Sequence, residues 1–415
     1  MAVADRLDGL HVGSRGAPRR LSHLVPAVAA LAVGLAACSG GGSPSGTSNA
    51  AGGSSQSAAP GQAAGPQSAT LTIAPSGSEP MNPKTPVTVK VAKGKLTTVT
   101  VTNAAGVQIT GALSADHTTW ASNEPLGYSK AYQVQAAALG ADGHTVQATR
   151  TLQVLTPRVQ AYPELTPAPG YTDVGIGQPI VVYFDQPVTD HAAAEKAITI
   201  TSSPSQPGSF YWMSNTEVHY RPPVYWKPGT NITINVGIYG VNLGGGVYGQ
   251  TDRTLRVHVH DAWVAKANGR TEQLAIYHNG LLLKTVPISL GSPGFPTHEG
   301  PHVISEKAPS VIMDSATYGV GPGQPGYYRE TVYLDERISN DGEFVHSAPW
   351  SVGQQGNANV SHGCVNLSPE NANWFYHHFN VGDVVEITNS GGHKLPVWDH
   401  WGDWELSWPQ WLAGA

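Results

Sequence analysis

The sequence predicts a mainly β protein. Two small antiparallel sandwiches lead into a β-rich domain with one helix after its cysteine, and a tryptophan-rich strap closes the chain. Three observations carry this. Apolar residues recur with period two over most of the chain, as they do in half-buried strands. Gly (48) and Pro (32) break those runs at short intervals. One stretch alone carries a full helix start signal. At 415 residues the chain is too long for one ordinary domain. The rest of the composition excludes function classes. A net charge of −6 with 13% charged residues does not suit non-specific nucleic-acid binding or a coiled coil. No apolar run approaches the ~20 residues that span a bilayer. Two cysteines cannot build a disulfide framework or a four-cysteine zinc site.

The N-terminus reads as an export signal. Arg6, Arg15, Arg19 and Arg20 precede an apolar run over 24–37, the length of a signal core and too short to span. The run ends in Leu35-Ala36-Ala37-Cys38, which resembles a bacterial lipobox, where cleavage precedes the cysteine and its sulfur is lipidated. The plainer alternative is a signal peptide cut near Ala37. Arg19-Arg20 also fits a twin-arginine signal, without settling the route. Residues 1–37 are therefore expected to be removed, with lipid on Cys38. Residues 38–68, almost all Gly, Ser, Ala, Gln and Pro, form a tether of about 30 Å root-mean-square span. The mature protein then works outside the cytoplasm, held to the membrane by lipid. Its one free thiol is Cys364, a candidate reactive group.

Residues 69–155 and 156–260 are the two sandwiches. In the first, Val87, Val89 and Val91 alternate with Thr88 and Lys90, and Val99 and Val101 with Thr100 and Thr102. In the second, strands fall at 180–184, 198–200, 232–236 and 255–259. Both patterns look immunoglobulin-like, although no Cys…Trp…Cys spacing is present. His258 and His260 alternate with Val257 and Val259. They read as the solvent face of a strand more than as half a metal site. From 261 to 387 strands continue at 274–277, 281–286 and 303–305. The helix signal is Ser368 as N-cap, Pro369 at the first helical position and Glu370 in the first turn. That helix is expected to run to about Phe379, before a last strand at 384–387. Residues 388–415 hold Trp398, Trp401, Trp404, Trp408 and Trp411. Exposed aromatics at that density would aggregate, so the tail reads as a strap on the preceding domain, with carbohydrate stacking as the alternative.

The chemistry concentrates between Asp314 and Asn366. A cysteine nucleophile needs a base or a cation, and backbone N–H groups for an oxyanion. Cys364 has His362 two residues upstream, Gly363 between them, and His346 eighteen residues upstream. An extended 362–364 segment would put His362 and Cys364 on one face. Residue types alone leave two other readings open: a buried structural cysteine, or zinc on His346, His362 and Cys364.

Ser361-His362-Gly363-Cys364-Val365-Asn366-Leu367 matches the SHGCxN signature of the L,D-transpeptidases, whose catalytic module is the YkuD domain. The segments 313–320, Gly326-Tyr327-Tyr328-Arg329 and 344–350 also resemble actinobacterial members. So does the order of lipobox, linker, two immunoglobulin-like modules, catalytic domain and tryptophan-rich tail. One departure stands out. Thr297-His298-Glu299-Gly300 replaces the Thr-Pro-x-Gly of many members, at a position expected to lie outside the chemistry.

The resemblance implies roles. Cys364 is the nucleophile. His346 is the base and, as imidazolium, the thiolate's partner, and the Ser347 carbonyl orients it. His362, Gly363 and the Cys364 N–H lie where the family builds its oxyanion hole. Trp350 and Asn366 fall at pocket positions, and Met313, Asp314, Tyr318 and Tyr328 on a lid over the donor site. The implied reaction is acyl transfer between peptidoglycan tetrapeptide stems. It gives 3→3 cross-links, needs no metal or other cofactor, and is blocked by carbapenem-type β-lactams. Water or a protein amine as acceptor are the alternatives, and a non-enzymatic wall-binding lipoprotein is the rival from another class.

Overall fold

The computed structural model describes residues 68–325, 327–399 and 401–414, with the side chain of Tyr318 not described. The expected signal, Cys38 and nearly all of the tether lie outside the described residues. The described chain is mainly β.

In the first sandwich, Thr70–Ala74, Thr88–Ala92, Thr119–Ser122 and Gly111–Leu113 form a four-stranded sheet. Gly94–Asn103, Ala131–Gly140 and Thr145–Gln153 form its three-stranded partner. The period-two residues are the core: Val87, Val89, Val101 and Val134 are fully buried. The second sandwich pairs two four-stranded sheets. One contains Ser209–Ser214, Glu217–Arg221 and Ile180–Phe184, the other Arg253–Val259, Asn231–Val236 and Ile198–Ser203. It adds a short helix, His191–Ala197, which the strand pattern did not predict. Asp190 caps it, accepting from the Ala193 N–H. His258 lies on the exposed face of Arg253–Val259. His260 falls past its end, 3.8 Å from Asp383, so it is not a strand-face residue.

The second sandwich is welded to the domain that follows. Gly175 and Gly177 donate to the carbonyls of Val381 and Gly382 at 2.9 and 2.8 Å. A Cβ at Gly175 would sit 2.2 Å from the Asp383 nitrogen, so only glycine permits this approach.

The third region holds two sheets. Leu281–Pro287, Gln273–His278, Trp263–Asn268, Val384–Thr388 and Gly300–Val303 form one, in that order. Glu306–Asp314, Arg329–Arg337, Phe344–Ser347 and Val365–Leu367 form the other. The helix is Pro369–His378. The Ser368 hydroxyl accepts from the Asn371 N–H, and Phe375 is buried under the sheet.

The strap is real, but its main seat differs from the one expected. Trp411 is fully buried and donates to the Ser209 carbonyl at 3.1 Å. The Arg221 guanidinium lies 4.3 Å from the Trp411 ring and 4.7 Å from Trp404. Both anchors belong to the second sandwich. An Arg side chain flanked by indoles gains cation–π contact and packing together. The tail also holds the catalytic region, through Leu395 N–H to the Glu299 carbonyl at 2.9 Å. Trp398 alone among the five stays 76% exposed.

Candidate active site

Strands Phe344–Ser347 and Val365–Leu367 run parallel, with His346 opposite Asn366. Paired residues of neighbouring strands share a face, so this register turns His346 and Asn366 to the same side, with Cys364 in the turn just ahead of the strand. His346 and Cys364 are both buried, and both line a cavity of about 280 Å³ with Asn366, Trp350, Tyr328 and Met313. His346 Nδ1 lies 3.0 Å from the Ser347 carbonyl. A carbonyl only accepts, so Nδ1 carries the hydrogen and Nε2 keeps its lone pair. The thiol points elsewhere in this state, to the Gly342 carbonyl at 3.7 Å.

The electrostatics favour a neutral pair. Burial pushes the Cys364 thiol up to about 12, with Glu343 and Asp335 adding to it. Burial likewise pushes His346 down to about 4, outweighing the Ser347 carbonyl and the Asn366 amide. Burial thus works against the imidazolium–thiolate form that the resemblance implies.

The turn 361–364 is not the extended segment expected. Gly363 has φ +120° and the strand begins only at Val365. Ser361 sets the bend: its hydroxyl donates to the Cys364 carbonyl at 2.7 Å and accepts the Gly363 N–H at 3.1 Å. That contact occupies the Gly363 amide, one of the groups expected in an oxyanion hole. The sequence motif contains Ser361 but assigns it no role. A serine ahead of a glycine turn is the signal that could have given it one. The His362 ring sits 4.8 Å from Phe295 and 5.0 Å from Tyr328. A three-ligand zinc site on His346, His362 and Cys364 does not form. Gly363→Ala should strain the backbone by about 1–3 kcal/mol. The new methyl would also press on Glu343, 3.3 Å away. We expect about 10²-fold lower kcat/KM from the displaced sulfur, with near-wild-type secondary structure by circular dichroism.

A second cavity, of about 630 Å³, adjoins the first across Met313, Tyr328 and His362. Asp314 lines it and is held by Arg329 at 3.2 Å and by the Ala316 N–H at 2.9 Å. Trp350 stands 56% exposed at the mouth of the first, its ring 5.9 Å from that of His346. The side chain of Tyr318 lies outside the description. The departure at His298 proves close to the site. Glu343 accepts from the His298 backbone N–H at 2.9 Å and lies 3.1 Å from its ring. Glu343 is what a Cβ at Gly363 would meet. Burial raises Glu343, but its two histidines outweigh that and leave its carboxyl below the usual range. Hydrogen bonding to Glu343 lifts His298 to about 8, against partial burial.

Comparison with known proteins shows the family. Residues 262–387 match the family model of the L,D-transpeptidase catalytic domain, and 78–242 that of a bacterial Ig domain. L,D-transpeptidase 2 of Mycobacterium tuberculosis (strain CDC 1551 / Oshkosh) is 44% identical over 331 residues, covering 79% of this chain and 80% of that one. The chain belongs to the L,D-transpeptidase family. L,D-transpeptidase 5 of Mycobacterium tuberculosis (strain ATCC 25618 / H37Rv) is 33% identical over 357 residues, 84% of this chain and 77% of that one. A solved L,D-transpeptidase in complex with imipenem is 36% identical, covers 54% of this chain and 97% of its own, and has a TM-score of 0.48. This transpeptidase is thus an acyl-transfer enzyme with its cysteine motif set between two cavities.

Proposed function

We propose that this transpeptidase joins peptidoglycan stems by 3→3 cross-links through a thioester on Cys364. The observation that carries the reading is the His346 tautomer. Its Nδ1–H is fixed on Ser347, so Nε2 is the free base of the cavity that Cys364 lines. In the first step the thiol swings from Gly342 to Nε2 and gives up its proton. The sulfur attacks the carbonyl between the third residue of a tetrapeptide stem and its terminal D-alanine. The C–N bond breaks, the departing D-alanine amine takes the proton from His346, and the thioester remains. In the second step an amine of another stem attacks the thioester and loses a proton to His346. The thiol is regenerated. No redox change occurs, and two easier steps replace one hard exchange. The cavities on either side of Met313, Tyr328 and His362 suit one stem each, with Trp350 and Asp314 at their rims. Asn366, at 3.1 Å from Ser351, backs the His346 face. Export, lipid on Cys38 and a tether would hold the enzyme between membrane and wall, on its polymeric substrate. In this reading 69–155 and 156–260 are the spacer modules, 261–387 the catalytic domain and 388–415 the strap.

The test is incubation with a disaccharide-tetrapeptide, with products read by mass. A dimer lacking one D-alanine, absent for Cys364→Ala, is the expected result. Tripeptide alone would replace the amine acceptor with water. Wall binding and phenotype both preserved in Cys364→Ala would overturn the enzymatic reading. The same thiol should take one carbapenem-type β-lactam per chain in intact-mass spectra. An equal adduct on Cys364→Ala would sink that prediction.

A further inference from the structure

We propose that this chain carries a site for a divalent metal ion of the zinc class, formed by His298, Asp341 and Glu343 on the wall of the second cavity. One donor atom from each lies within 4.8 Å of the others. His298 Nδ1 is 3.1 Å from Glu343 Oε1 and 3.7 Å from Asp341 Oδ2. One imidazole with two carboxylates is a donor set for zinc and its first-row neighbours.

A separate observation points to a cation. Asp399 is fully buried, and its Oδ2 has no partner beyond the Asp341 carboxyl it faces. Its Oδ1 accepts the Asn340 N–H, and its carboxyl faces Asp341 and interacts with His298. Glu343 Oε2 is likewise buried without a hydrogen-bond partner, with His302 Nε2 3.4 Å away. Three carboxylates thus gather around two imidazoles, those of His298 and His302, and two of the three carboxylates are more than nine-tenths buried. Buried carboxylates in excess of their counter-charge are costly, and a dication supplies the missing charge. His302 would act behind the ligands. Its Nδ1 is set by the Gly300 carbonyl at 3.0 Å, which leaves Nε2 toward Glu343. An entry path exists, because the side chains of His298 and Asp341 are 22% and 50% exposed and both line the open cavity.

The ion would take no part in acyl transfer. It would pin the 340–343 turn against the 297–300 segment, behind Gly363 and the nucleophile. The residue that breaks the family's Thr-Pro-x-Gly pattern is the one that supplies the nitrogen ligand.

The test uses the purified full chain without a histidine tag. Zn²⁺ is titrated calorimetrically, and Co²⁺ is followed by its visible absorption. The expected result is one equivalent bound, with Co²⁺ bands free of sulfur charge transfer. Affinity should be unchanged in Cys364→Ala and fall by about tenfold or more in both His298→Ala and Asp341→Asn. Asp341 is half exposed, so Asp341→Asn should keep the fold, which circular dichroism checks. No uptake up to about 1 mM, equal uptake by both variants, or uptake lost only in Cys364→Ala would each overturn the site.

Discussion

His346→Gln should lower the rate of Cys364 acylation by about 10²–10⁴-fold, and Cys364→Ala should remove it. Burial sets the protonation of both groups. Burial pushes the thiol up to about 12, which works against attack by a pre-formed thiolate at pH 7. On the proposed mechanism the proton leaves as the sulfur attacks, and His346, which lines the same cavity, is the base that takes it. Because burial holds His346 near 4, the ring stays neutral and basic down to that pH. The acid limb of acylation should then fall near pH 4, well below the 6.5 of an ordinary histidine. Single-turnover acylation by a carbapenem-type β-lactam from pH 4 to 9, read by mass, checks both points. His346→Gln should lose the acid limb along with the rate. A limb near 6.5 in wild type would mean that the working pair is imidazolium and thiolate after all.

Much of this site could be read in the sequence, because the chemistry there is local. Gly363 next to Cys364 and the Ser368-Pro369-Glu370 helix start act over a few residues, and His346 lies only eighteen residues before the cysteine. Strand alternation gave the cores of both sandwiches for the same reason, since Val87, Val89 and Val101 in the first and Ile232 and Ile234 in the second face inward by period alone. What escaped depends on contacts distant in sequence or on backbone shape. The bend at Gly363 follows from a positive φ and the Ser361 hydroxyl, which an extended His-Gly-Cys reading cannot show. His298 meets Glu343 across 45 residues, so its bearing on the nucleophile's turn was invisible in the motif that contains it. The strap's seat on Arg221 joins positions about 190 apart, and nothing in a run of tryptophans names the cation that gathers them.

Asp403→Asn should destabilise the chain by about 3–5 kcal/mol below pH 6.5, the cost of breaking a buried charge pair. Asp403 is fully buried in the strap. It lies 2.7 Å from Nδ1 of His219 on the second sandwich, whose Nε2 meets Glu217 at 2.8 Å. Burial works against charge on His219, but Asp403 and Glu217 outweigh it and lift the ring to about 9. The folded value is above the unfolded one near 6.5. The stabilisation is therefore fully present below pH 6.5 and is lost as pH rises from 6.5 to 9. A shift of that size is worth about 3 kcal/mol. Wild type and Asp403→Asn should thus draw together above pH 9. Trp411→Ala, which removes packing and no charge, should cost about 3–5 kcal/mol at every pH. Urea unfolding at pH 6 and 9.5 separates the two cases. An Asp403→Asn penalty as large at 9.5 as at 6 would mean that shape, not charge, holds the tail. The consequence reaches the active site, because the same strap carries Asp399, whose carboxylate holds the Asn340 N–H beside the wall of the second cavity. A tail loosened by alkali or by Asp403→Asn should free the 340–343 turn, and with it the Gly342 carbonyl that receives the resting thiol. Alkylation of Cys364 by iodoacetamide should then speed up in Asp403→Asn at pH 6, while Trp398→Ala, at an exposed position in the same tail, leaves it unchanged.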